Sequence, residues 1–65
     1  MNGIKEIKLF DMNTLESCGS IITEGSQWHY EDVKDTHLMD ITRGMPLKAL
    51  LNILSSFGLV YDIVE

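Results

Sequence analysis

The chain is poor in cysteine, proline, basic residues and long apolar runs, and each scarcity removes a class of protein. It has one cysteine, Cys18, so no internal disulfide can staple it. Cys18, His29 and His37 show no paired ligand spacing, so no structural metal is expected. No stretch approaches the roughly 20 apolar residues that span a bilayer. The opening Met-Asn-Gly-Ile-Lys-Glu has no apolar run behind it of the kind a signal peptide carries. A reduced, cytoplasmic setting is therefore expected.

Catalytic groupings are equally scarce. Cys18 with His29 or His37 is the one nucleophile–base combination, and its spacing is not diagnostic. Glu31, Asp32 and Asp35 lack the alternation and the glycine of a calcium loop. Gly19 and Gly25 are too far apart to cradle a phosphate. A pocket of a few hundred cubic ångströms is also hard to enclose in so short a chain. The expectation is a protein that is not an enzyme, with no cofactor, no metal and no catalytic residue.

What is present is acid. Ten acidic residues face five basic ones, a net charge of −5. The imbalance is local: Asp11, Glu16, Glu24, Glu31, Asp32, Asp35 and Asp40 are opposed only by Lys34, so seven acids and one base give −6 between residues 11 and 40. A field of that sign repels nucleic acid and anionic membrane and attracts basic surfaces. The same charge also serves plain solubility.

Sixty-five residues make one domain, 1–65, and such a chain buries only about 60% of its unfolded surface. Self-association is a reasonable source of extra stability.

The clearest element lies at the end. Leu47, Leu50, Leu51, Leu54 and Phe57 fall in one helical arc, with Lys48, Asn52, Ser55 and Ser56 opposite. Pro46 suits the first turn and Gly58 the position just past the last. The spacing predicts an amphipathic helix over 46–57. Residues 59–64 then read as a strand, with Leu59, Tyr61 and Ile63 on one face and Val60, Asp62 and Val64 on the other.

Earlier in the chain, Gly25-Ser26 separates two β-prone runs and suits a type II′ turn in a hairpin near 19–33. That turn sets Glu24 against Gln27, Thr23 against Trp28, Ile22 against His29 and Ile21 against Tyr30. The face bearing Ile21, Thr23, Trp28 and Tyr30 should pack under the helix. Pointed outward, Trp28 and Tyr30 would instead form an aromatic contact patch. Residues 4–12 read as a further strand, covered on both faces at its far end. Residues 34–43 fit either state. Thr36, Ile41 and Thr42 favour strand, whereas the acids before and Arg43-Gly44 after suit a helix. Strand is the reading adopted. The fold class expected is α+β, a small antiparallel sheet packed by one helix.

The run from Ile41 onward resembles the end of lambda-repressor-like helix-turn-helix regulators. Arg43-Gly44, the Leu47/Leu50/Leu51/Ile53/Leu54 helix, Phe57-Gly58 and the closing strand match that outline. The resemblance implies a terminal strand that dimerises. The family's earlier helices have no counterpart, and Asp35 and Asp40 would oppose phosphate in a reading helix, so no DNA-binding site is carried over.

Two functions follow as expectations. One is an acidic inhibitor or modulator, of the phage-encoded, anti-CRISPR or nucleic-acid-mimic kind, that occupies a basic surface of another protein. Glu24, Glu31, Asp32, Asp35 and Asp40 would meet lysine and arginine, with Trp28 and Tyr30 as anchors. The alternative is a dimeric transcription regulator or antitoxin-like module, with a homodimer through the C-terminal strand.

Overall fold

The computed structural model describes residues 4–64. Residues 1–3, which the sequence leads one to expect as a frayed end, lie outside them. Four antiparallel strands form one sheet in the order β3-β2-β1-β4. Strand β1 is Ile4–Asp11, β2 is Ser17–Glu24, β3 is Gln27–Glu31 and β4 is Leu59–Val64. Between β3 and β4 the chain forms helix α1, Thr36–Ile41, and helix α2, Leu47–Ile53, which tightens into a 3-10 turn over Leu54–Phe57. The expected α+β architecture with a C-terminal strand is what the chain adopts.

The β2–β3 hairpin has the register that its turn dictates. Glu24 pairs with Gln27, Thr23 with Trp28, Ile22 with His29, Ile21 with Tyr30 and Ser20 with Glu31. Gly25 carries φ +64 while Ser26 stays out of the left-handed region, as a type II′ turn requires. Helix α2 begins one residue later than expected. Pro46 is its N-cap, and the Pro46 carbonyl accepts the Leu50 N–H at 3.1 Å. Gly58 ends the helical run in the left-handed conformation, its N–H donating to the carbonyls of Leu54 and Ser55.

Alternation along the strands divides the sheet into two faces. Ile7, Leu9 and Ile21 point to one face and are buried with Leu38, Leu50 and Leu54. Both helices therefore cover that face alone. On β1 the full coverage is one-sided, contrary to expectation: Leu9 is buried under the helices, while Phe10 on the reverse face is only half-buried. Among the described residues Thr23 and Thr42 are the buried polar ones, and each hydroxyl bonds to a backbone carbonyl, of Lys5 and Leu38 respectively.

Residues 34–43 are helical at their centre, which overturns the strand expected there. The Asp35 carboxylate accepts the Leu38 N–H at 3.1 Å and caps the helix. Leu38 is then driven into the core, fully buried. Thr42, β-prone by propensity, ends the helix with its hydroxyl donating to the Leu38 carbonyl at 2.7 Å. Capping plus burial outweighs the few tenths of a kcal/mol by which Thr and Ile disfavour helix.

The crossover from β3 to α1 depends on Gly19. Asp32, at φ +60, turns the chain off the sheet. A Cβ at Gly19 would lie 2.7 Å from both the Asp32 carbonyl oxygen and Val33 Cγ2. The bare glycine backbone lets the connector pass over β2. Opposite Gly19 the β1–β2 ladder is bulged: Leu9 pairs with Gly19 and Phe10 with Ser17, leaving Cys18 as the extra residue.

Candidate functional site

Among the described residues nothing covers the face of the sheet away from the helices. The strand registers place Glu6, Lys8 and Phe10 of β1, Ser20, Ile22 and Glu24 of β2, His29 and Glu31 of β3, and Val60, Asp62 and Val64 of β4 on it. Four carboxylates thus share one surface with a single lysine. Glu6 accepts a hydrogen bond from the Ser20 hydroxyl at 2.9 Å. Lys8 stands between Ser20 and Asp62 in the two ladders. Phe10 and Ile22 are half-buried, and His29 is exposed.

The acids expected to act together are spread over more than one surface. Glu24 is exposed at the hairpin end of β2, and Glu31 at the far end of β3. Four residues of strand separate their positions, about 13 Å at about 3.3 Å per residue. Glu31 and Asp32 continue into the connector, whose Asp32, Lys34 and Asp35 line an open depression with Cys18, Gly19 and Ser20. The Asp35 carboxylate is occupied in capping α1. Asp40 lies on α1 and pairs with Arg43 at 3.1 Å, an exposed contact worth about 0–1 kcal/mol. Of the set named from the sequence, Glu31, Asp32 and Asp35 are neighbours in the chain, and Glu24 shares the open sheet face with Glu31.

Trp28 and Tyr30 point to the helix side and pack against the core. Their rings meet edge to face at 5.1 Å. The Trp28 indole N–H donates to the Met45 carbonyl at 2.7 Å. The Tyr30 and Thr42 hydroxyls share a hydrogen bond of 2.9 Å. Both rings therefore pin the α1–α2 loop, and their exposed edges line an open cleft with Met39, Arg43 and Met45. Burial pushes the Tyr30 phenol above its usual pKa, opposed by the Thr42 hydroxyl.

His37 is exposed, its ring tilted against Phe57 at 5.9 Å. Cys18 is half-buried, with its thiol 3.6 Å from the Glu16 carbonyl oxygen. Among the described residues no group of three His, Cys, Asp or Glu is placed to hold a metal ion, and no helix is long and apolar enough to cross a membrane. Asp11 has a local structural role. Its carboxylate accepts the N–H groups of Thr14 and Asn13 at 3.0 and 2.8 Å, which hold its pKa below the usual value.

Reading by segments passed over Glu6, Lys8 and Asp62, because they lie outside the acid-rich middle. Alternation would have found the first two: in Glu6-Ile7-Lys8-Leu9 the apolar pair marks the core face and the charged pair its reverse. Asp62 needed the pairing of β4 with β1.

No protein-family model matches this sequence, and no match was found among curated proteins or solved structures.

Proposed function

We propose that this protein is an acidic binding module that docks on a basic surface of another protein and thereby blocks or modulates it. The observation that carries this reading is the uncovered sheet face, where Glu6, Glu24, Glu31 and Asp62 face outward against Lys8 alone. Glu31 continues into Asp32 at the rim. Phe10 and Ile22 supply apolar surface between the carboxylates, the mixture that a desolvated centre with a charged surround requires. Strongly basic surfaces belong above all to nucleic-acid-binding proteins. A phage- or mobile-element-encoded inhibitor of a host nuclease, of the anti-CRISPR or nucleic-acid-mimic type, would act in this way.

The test is affinity capture with the tagged protein, run beside a triple charge reversal, Glu24→Lys/Glu31→Lys/Asp32→Lys, and a control reversal at Glu16, in the β1–β2 turn. The expected result is a salt-sensitive partner that duplex DNA competes away. The triple variant should lose it and the Glu16 variant should retain it. Equal recovery by all three proteins would sink the reading. Tight binding of duplex DNA by the protein alone at low salt would favour the regulator instead.

A further inference from the structure

The β4 edge of the sheet is open and unusually well suited to pair with a copy of itself. The Met12 N–H donates to the Gly58 carbonyl at 2.8 Å, one position beyond the last pair of the β1–β4 ladder, Asp11 with Leu59, and in the same register. In an antiparallel ladder the bonded pairs alternate. Val60, Asp62 and Val64 therefore turn their N–H and C=O groups toward β1, and Leu59, Tyr61 and Ile63 turn theirs outward. The outward three are apolar and have their side chains on the helix side of the sheet. Tyr61 is 43% and Ile63 46% exposed. Over its described residues β4 has no proline, no lysine and no bulge, and its one charged side chain, Asp62, is on the reverse face opposite Lys8.

We propose that the protein forms a two-fold dimer in which β4 pairs antiparallel with β4 of a second copy, centred on Tyr61. Of the registers that join outward groups, only the one centred on Tyr61 pairs all three on each strand, and charge speaks against the one centred on Asp62. Centred on Asp62, two carboxylates would face each other across a close, non-bonded pair. Centred on Tyr61, Asp62 faces Val60 of the other copy, and Leu59, Tyr61 and Ile63 face Ile63, Tyr61 and Leu59. All three outward residues of each strand then exchange both backbone bonds. Ile63 of the second copy, set against Leu59, lies beside a groove of about 290 Å³ lined by Leu51, Leu54, Ser55, Leu59, Val60 and Tyr61.

Charge also favours a second copy at this edge over the other. Asp62 has Lys8 directly opposite on β1. Glu31 and Asp32 lie at the β3 side, with Asp35 and Asp40 beyond them at and within α1. Pairing through β4 places those acids at the two far ends of an eight-stranded sheet, where a chain of net charge −5 repels itself least. This inference is independent of the proposed acidic docking, and either can fail without the other.

The experiment is sedimentation equilibrium of the full chain over a wide concentration range, joined to cysteine trapping in a Cys18→Ser background. The wild type should approach twice the monomer mass as concentration rises. Ile63→Lys, which keeps an exposed position exposed, should stay monomeric with an unchanged circular dichroism spectrum. Tyr61→Cys should cross-link on mild oxidation, because bonded antiparallel pairs hold Cα atoms about 5.5 Å apart, within disulfide reach. Asp62→Cys should cross-link far less. Amide exchange should slow with concentration at Leu59, Tyr61 and Ile63. A monomer at every concentration overturns the proposal. Preferential trapping at position 62 overturns the register and with it the argument from charge.

Discussion

The two edges of this sheet begin alike and end differently. Strands β3 and β4 each have one bonded neighbour, and each carries tyrosine on the helix side. On β3, Tyr30 bonds to Thr42 and Trp28 to the Met45 carbonyl, so the strand's side chains tether the α1–α2 loop. On β4, Tyr61 makes no side-chain hydrogen bond among the described residues, and Val60, Tyr61, Ile63 and Val64 are all exposed apolar side chains. Around β3 the charge is negative; at β4 the single acid stands opposite a lysine. The difference lies in the side chains: the polar tips on β3 find partners in the same chain, and that of Tyr61 finds none among the described residues.

The largest expected effect comes from breaking the β3 side at its foundation. Gly19→Val would press a side chain into the Asp32–Val33 backbone at a positive φ of +106. Strain and overpacking together should cost about 3 kcal/mol or more. A domain of this size has roughly 3–10 kcal/mol in all at 0.05–0.15 kcal/mol per residue. Urea denaturation should show a chain that is largely unfolded in water; a midpoint near the wild type would refute the crossover's role.

Thr42→Val sharpens the comparison by removing the buried hydroxyl that joins Tyr30 to the Leu38 carbonyl. A loss of about 1–2 kcal/mol is expected, read as a lower denaturation midpoint with the slope unchanged. Trp28→Phe removes the bond to the Met45 carbonyl together with part of the packed ring and should cost about 1–2 kcal/mol. Because the loop is then untethered, amide exchange should quicken over 42–46 before it does so elsewhere. Against these, Ile63→Lys on the open edge should leave monomer stability within about 0.5 kcal/mol of wild type.

The smallest effect is a pH dependence away from both edges. Asp11 has its pKa lowered in the folded chain by the Thr14 and Asn13 N–H groups. Its contribution is therefore complete above the unfolded carboxyl value, near 4, and is lost as pH falls through the depressed folded value. Asp11→Asn should be less stable than wild type near neutral pH, and the gap should close in acid. Parallel denaturation curves at both pH values would show the opposite.

Much of the architecture was legible residue by residue. Gly25-Ser26 set the hairpin register to the residue, because a two-residue primed turn leaves no freedom in what faces what. The leucine stripe and Gly58 marked the helix and its end. Residues 34–43 misled, because propensity there is divided and the deciding contacts, Asp35 to the Leu38 N–H and Leu38 to the core, are a cap and a burial that propensity does not weigh. The candidate site was less legible. Seven acids close in sequence looked like one patch, yet strand alternation, the capping of α1 and the Asp40–Arg43 pair divide them.

Local chemistry was enough for the turns, the helix stripe, the chain's excess of carboxylate and the exclusion of an internal disulfide, since dihedral preference, periodicity and residue counts act within a few neighbours. Long-range pairing settled the remainder: that β1 lies in the middle, that Glu6 and Asp62 join Glu24 and Glu31 on one face, and that β4 is left with a bare edge. Those outcomes depend on which distant strands meet, and strand pairing follows from burying Ile7, Leu9 and Ile21 together under the helices, which is a property of the whole packed chain.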